Sequence, residues 1–254
     1  MKIGAPTHPR KDLVKEIEWI GRNGFDFVDL FLEEDKAVPD KINIEKSREA
    51  IKKYNLDVTG HTAWYLQTSS PLKSIRDCVV NEAERYLKVF NKLGVEKVTL
   101  HANWFVGLFS VKESINFQVY TLRKIVQRAE KYKIKIMLEP IDTRYDNIKN
   151  ISEILNKVKG LYLHLDLGHA NVSENKTEYW IRKFHKKLMH IHLSDNNGEE
   201  DQHLSIGKGN IKWKKVIRFL KKYYDGTMTL EIFEKNKKNL ISSKNKLGKL
   251  LENA

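Results

Sequence analysis

Eight times over, a short run of β-forming residues gives way to a longer stretch with apolar side chains at helical spacing. Nothing else in the chain limits its fold as strongly. The spacing predicts strands at residues 3–5, 25–32, 57–61, 95–101, 134–139, 161–166, 188–193 and 227–231. Helices are predicted at 10–23, 44–54, 71–94, 111–132, 150–157, 177–185, 213–223 and 238–251. The fourth shows the pattern well, with Ile115, Val119, Leu122, Ile125, Val126 and Ala129 on one stripe. Gly24 and Gly94 punctuate helix ends, and Ser152 is read as a cap of the fifth helix. Eight β-then-α units in 254 residues, with no linker or low-complexity segment, predict one α/β domain spanning residues 1–254. Its expected form is a parallel, eight-stranded (β/α)8 TIM barrel. A doubly wound open sheet is the alternative, disfavoured because no Gly-x-Gly-x-x-Gly turn follows any strand.

Composition narrows the setting. The longest apolar runs are of strand length, which argues against a membrane span. Met1-Lys2-Ile3-Gly4 leads directly into the first strand, so no secretory leader is expected and the cytoplasm is the default compartment. The single cysteine, Cys78, excludes an internal disulfide framework and is expected to be a buried structural thiol. The net charge of +13 is nearly all lysine spread over the helices. It reads as solvated helix faces rather than a nucleic-acid surface, although 212–222 and 235–249 are dense in lysine.

A barrel enzyme builds its active site where its strands end. The predicted third strand ends in His61, the fourth in His101 and the fifth in Glu139. The sixth ends in Asp166, with His169 three residues on; the seventh is read as ending in His192, followed by Asp201 and His203; the eighth ends in Glu231. Six successive strands thus deliver metal-competent side chains to one rim. Mixed histidine and carboxylate donors without thiolate suit Zn²⁺ or Mn²⁺, and less well Mg²⁺ or Ca²⁺.

Leu138-Glu139-Pro140, Leu165-Asp166-Leu167-Gly168-His169-Ala170, His192-Leu193-Ser194-Asp195-Asn196, Asp201-Gln202-His203, Gly207-Lys208-Gly209 and Thr229-Leu230-Glu231 resemble the xylose isomerase-like superfamily of TIM barrels. That superfamily holds sugar and sugar-phosphate isomerases and epimerases, and also endonuclease IV, which cuts DNA at abasic sites. The resemblance spans the third to eighth strands in order. In the isomerases and epimerases it implies one divalent metal held by Glu139, Asp166, His192 and Glu231, with Glu139 and Glu231 also acting as acid and base. In endonuclease IV it implies three zinc ions. His61, His101 and Glu139 would hold one, and Glu139 would bridge to a second held by Asp166, His192 and Glu231. His169, Asp201 and His203 would hold the third.

Departures count against the nuclease. Pro6-Thr7-His8 follows Gly4-Ala5 where the nuclease has a Gly-His-Val-Ser-like turn, and Ala102-Asn103-Trp104 replaces its usual His-Pro-Gly. Glu33-Glu34-Asp35 near the mouth would repel a DNA backbone. Softer candidates surround the site. Trp64, Trp104 and Phe105 could stack on a sugar ring or a base, or be rim packing; Lys208 and Arg144 could meet a phosphate; Glu33 or Glu34 could hold a hydroxyl. The Gly207-Lys208-Gly209 loop could admit a phosphate or simply be a tight turn. His190 and His164 lie two residues before His192 and Asp166, and are read as support one layer deeper. Three functions follow: a metal-dependent isomerase or epimerase of a small sugar or sugar phosphate, a zinc-dependent nuclease on abasic DNA, and a non-catalytic metal- and sugar-binding barrel. The paired glutamates argue against the third.

Overall fold

The computed structural model describes residues 1–173, 177–234 and 236–253; Lys235, which opens the second lysine-rich stretch, lies outside them. The strands are β1 (Lys2–Pro6), β2 (Phe27–Leu32), β3 (Asp57–Thr62), β4 (Lys97–His101), β5 (Lys135–Glu139), β6 (Leu161–Asp166), β7 (Leu188–Leu193) and β8 (Thr227–Leu230). All pair in parallel and in sequence order, and β8 closes on β1 through Ile3 against Met228. This is the expected (β/α)8 barrel, and the open-sheet alternative is excluded. The helices are α1 (Leu13–Arg22), α2 (Ile44–Lys53), α3 (Lys73–Lys92), α4 (Val111–Glu130), α5 (Ile148–Lys157), α6 (Leu167–Val172), α7 (Thr177–Phe184), α8 (Trp213–Tyr223) and α9 (Lys238–Glu252). Among the described residues no helix is long and apolar enough to cross a membrane.

Helix starts follow local chemistry. Asp12 caps α1 by accepting from the Lys15 N–H, and Ser110 with Glu113 forms a capping box at α4. At α5 the cap is Asn147, which accepts from Asn150, so the helix begins two residues before the predicted start. Ser152 is not its cap; it lies inside the helix with a buried, unpartnered hydroxyl. The six-residue α6 was not predicted, being too short to show a period. Cys78 is exposed rather than buried. The α3 stripe of Val79, Val80, Ala83, Leu87 and Phe90 faces the core, and Cys78 falls on the other side.

Strand alternation sorts the barrel into two unlike compartments. One set of strand residues packs outward against the helices and is apolar: Leu30 and Leu32, Val98 and Leu100, Leu163 and Leu165, Ile191 and Leu193, all buried. The other set points to the axis. Barrels usually fill that space with branched aliphatic side chains. Here it holds Asp29, Thr59, His61, Thr99, Glu139, His164, Asp166, His190, His192 and Thr229, every one buried. Burying so many polar groups is costly unless they are mutually bonded or hold a ligand.

Candidate metal centre

The site lies at the C-terminal ends of β3 to β8. His101, Glu139 and Asp166 are the last residues of their strands. His61 and His192 stand one residue before the ends of β3 and β7, and Glu231 lies immediately past β8. Parallel register brings the side chains level: His101 pairs with Glu139, and Asp166 with His192.

Glu139 faces two ways. Its Oε2 lies 3.1 Å from His61 Nε2, 2.8 Å from His101 Nε2 and 3.3 Å from His164 Nδ1, while Oε1 lies 3.6 Å from His192 Nδ1. His192 Nδ1 is also 3.0 Å from Glu231 Oε2. Glu139, Asp166, His192 and Glu231 each offer a ligand atom, all within 4.8 Å of one another. Ligands about 2.1 Å from a shared ion stand at most about 4 Å apart, so the set contracts onto an ion with small adjustment. Asp166 carries the clearest sign of fit. Its Oδ1 caps α6 by accepting from the His169 N–H at 2.8 Å, while Oδ2 is buried with no partner. The donor chemistry and this orphaned oxygen both suit a divalent cation.

Electrostatics agree. Burial alone would raise the Glu139 carboxyl, but His164, His101 and His192 outweigh it and hold it well below the usual range. Burial also raises Glu231, and His192 and His203 overcome it, so this carboxylate too is lowered. Asp166 goes the other way, raised first by burial and further by Glu231. His192 is raised well above its ordinary value because Glu231, Glu139 and Asp29 outweigh burial. Glu139 and Glu231 are thus held ionised by neighbouring positive charge, a role that a cation can take.

A second cluster stands at the rim. His169 Nε2 and His203 Nε2 lie 3.0 and 2.8 Å from Asp201 Oδ2, and the three ligand atoms fall within 4.8 Å of one another. Each histidine is aimed by a backbone carbonyl: His169 Nδ1 by Pro140 and His203 Nδ1 by Glu231. Such bonds fix which nitrogen faces a metal. His203 also stacks on Phe233 and holds a left-handed backbone, φ 46°, uncommon for a residue other than glycine. All nine strand-end and loop candidates are therefore gathered at one end of the barrel, in two linked groups.

The softer candidates divide. Lys208 is paired with Glu234 at 2.6 Å, and Arg144 with Asp142 at 2.8 Å. The Gly207 N–H is spent on Asp195 Oδ2 at 2.7 Å. Buried Asp195 also accepts from Asn196, Ile211 and the Trp213 indole, and so folds the loop that carries Asp201 and His203. Gly209 is needed there, since a Cβ would sit 2.1 Å from the Asn196 carbonyl oxygen. The turn is thus shaped by an aspartate. Trp104 is half-buried, its indole bonded to Asp146 at 2.7 Å, whereas Trp64 and Phe105 are exposed. Glu33 is half-buried, its carboxyl raised by burial and by Glu231. Asp29 was missed by sequence reasoning altogether: it lies beneath His192, 3.0 Å from its Nε2.

The profile of the family described as xylose isomerase-like TIM barrel matches residues 17–251. Protein MJ1311 of Methanocaldococcus jannaschii, uncharacterised, is 30% identical over 95% of this chain and 86% of its own length. A probable endonuclease 4 of Metamycoplasma arthritidis is 28% identical over 57% of this chain and 56% of its own. The crystal structure of a D-tagatose 3-epimerase-like protein superposes with a TM-score of 0.87 at 28% identity, covering 99% of this chain and 97% of that one. Sugar 3-epimerases recur among other matching sequences and folds. Fold, strand-end chemistry and sequence agree that the chain belongs to the xylose isomerase-like TIM barrel family.

Proposed function

We propose that this chain is a divalent-metal-dependent epimerase or isomerase acting on a small, unphosphorylated sugar. One observation carries the reading: Glu139 and Glu231 approach the same His192 nitrogen, at 3.6 and 3.0 Å, from two strands on opposite sides of it. Glu139, Asp166, His192 and Glu231 would hold the ion, Zn²⁺ or Mn²⁺ by donor type. When bound, the ion polarises a substrate carbonyl and acidifies the adjacent C–H. The protein supplies the proton transfer. One glutamate removes the proton from the carbon next to the carbonyl, and the other returns a proton to the opposite face of that carbon. His61 and His101 hold Glu139 from behind, so its oxygens are aimed before substrate arrives.

Three features of the mouth support a substrate without a phosphate. The two cations that the sequence offered for one, Lys208 and Arg144, are each tied to a carboxylate, and the Gly207 amide is bonded to Asp195. Glu33, raised by burial, suits a sugar hydroxyl rather than an anion. The test presents the Mn²⁺- or Zn²⁺-loaded protein with a series of free ketoses and their phosphate esters, and follows epimers by NMR. Turnover of a free ketose supports the reading; turnover of phosphate esters alone overturns the unphosphorylated assignment.

A second reading is favoured by the rim cluster. Three metal-competent groups at His169, Asp201 and His203 are more than a one-metal epimerase needs, and some relatives are probable endonucleases. Three zinc ions per chain together with nicking of abasic duplex DNA would establish that reading instead. The acidic Glu33-Glu34-Asp35 segment opposes it.

A further inference from the structure

Beneath the metal-competent cluster lies a buried layer that the proposed chemistry does not use. Its centre is Asp29 on β2, fully buried, whose Oδ2 receives three bonds. His190 Nε2 lies at 3.2 Å, His192 Nε2 at 3.0 Å and Thr229 Oγ1 at 2.9 Å. The layer continues toward the N-terminal end of the barrel. His190 Nδ1 is 2.7 Å from Thr227 Oγ1, and Thr227 is in turn bonded to the Lys97 ammonium.

The sense of this chain is fixed at both ends. An ammonium only donates and a carboxylate only accepts. Lys97 donates one hydrogen bond to Thr227 Oγ1 and another to the Met189 carbonyl. The Thr227 hydroxyl keeps its own proton, which it can donate to His190 Nδ1 at 2.7 Å. His190 accepts there and donates from Nε2 to Asp29. Asp29 Oδ2 thus accepts from His190 Nε2 and from Thr229 Oγ1. The last donor to Asp29 is His192 Nε2–H. That leaves Nδ1 of His192 as the nitrogen facing Glu139 and Glu231. His164 packs edge-on against the same ring at 3.9 Å between centroids.

We infer that Asp29 is a positioning residue that holds His192 in its Nε2–H form and so commits Nδ1 to the ion, with Lys97 at the far end of the barrel setting the direction of the bonds. The inference rests on the reading of His192 as a metal ligand. Ligand-orienting partners of this kind are typically worth 10- to 100-fold in metal affinity. Asp29→Asn keeps the shape but puts an amide where a pure acceptor stood.

The experiment uses the whole chain loaded with Zn²⁺. Long-range ¹H–¹⁵N NMR of the imidazoles identifies the coordinating nitrogen of His192, and chelator competition gives the zinc dissociation constant of wild type, Asp29→Asn and Lys97→Met. The expected result is Nδ1 coordination with a protonated Nε2, a dissociation constant weakened about 10- to 100-fold in Asp29→Asn, and a smaller weakening in Lys97→Met. Nε2 coordination in the wild type overturns the inference, and so does an Asp29→Asn constant within twofold of wild type. If Asp29→Asn does not fold, the wild-type spectrum decides. A wild type that binds no zinc removes the metal reading itself and this inference with it. Zinc binding that is indifferent to Asp29 removes the inference alone.

Discussion

The deep cluster around His192 and the rim cluster around Asp201 use the same residue types in opposite ways. The deep one is built on strands and sealed, with Glu139, Asp166, His192 and Glu231 all buried. The rim one hangs on α6 and a loop, and Asp201 is exposed. His192 turns Nδ1 toward its cluster and is braced from below by a carboxylate. His169 and His203 turn Nε2 toward theirs and are braced by backbone carbonyls. Rigid strands suit a centre that must place a proton within a fraction of an ångström. A loop-borne centre can be gained, lost or retuned without disturbing the barrel. The same ligand types thus stand in two settings that suit different chemistry. What matters is which cluster the reaction needs.

Four changes would break or sharpen that contrast. The largest effect is expected at the deep cluster. Glu231→Gln, and separately Glu139→Gln, should each lower sugar turnover by about 10³-fold, the scale of losing an acid/base group. Epimer formation by NMR measures it, and retained turnover would remove the deep cluster from the reaction. Next comes Gly209→Ala. Its Cβ would strike the Asn196 carbonyl oxygen, so the loop should be displaced at a cost of about 1–3 kcal/mol. Thermal unfolding reads the cost, and metal analysis should show the rim weakened while the deep site still loads.

Smaller still is His203→Ala. Under the epimerase reading it should cost no more than about tenfold in turnover, well short of the loss of an acid/base group. A loss as large as that of the glutamate variants would make the rim part of the reaction, as in a multi-zinc nuclease. The mildest effect is on pH. Burial lowers His169 and His203, but Asp166 and Asp201 push His169 up to about 10, and Asp201 and Glu231 push His203 up to about 9. Groups raised in the fold stabilise it fully below the unfolded value near 6.5. That stability is lost as pH rises through about 9 and then about 10. Metal-free protein should therefore lose a few degrees of Tm between pH 7 and 10, and bound zinc should blunt the loss by replacing those protons. The deep glutamates act on the other limb. Being lowered, they stabilise the fold above their unfolded value and lose that contribution as pH falls below it.

Much of this was legible in the sequence, because barrel geometry turns strand ends into site positions. Glu139 and Asp166 end their strands as read, and β6, β7 and α8 have the predicted bounds. What escaped was context that periodicity does not carry. Asp29 sits in Phe27-Val28-Asp29-Leu30-Phe31-Leu32, an apolar strand whose faces cannot be told apart by hydrophobicity. Its signal was an acid at the parity of Phe27 and Phe31, both of which contact interior histidines. Asp195 looked like one more loop acid, yet it gathers the turn that carries the rim cluster. Lys208 and Arg144 were offered as phosphate partners because sequence shows a charge but not its neighbour. Cys78 was assigned to the wrong side of α3, where one residue of helical phase separates core from solvent.

The central claim is that the deep cluster moves a proton on a carbon beside a sugar carbonyl. The most direct measurement incubates the Mn²⁺-loaded protein with free ketoses in D₂O and follows deuterium at that carbon by NMR and mass spectrometry. The account expects solvent deuterium to enter there, at a rate that falls on chelation and falls about 10³-fold in Glu231→Gln. No exchange into any free ketose by fully loaded protein, alongside nicking of abasic duplex DNA, would contradict it.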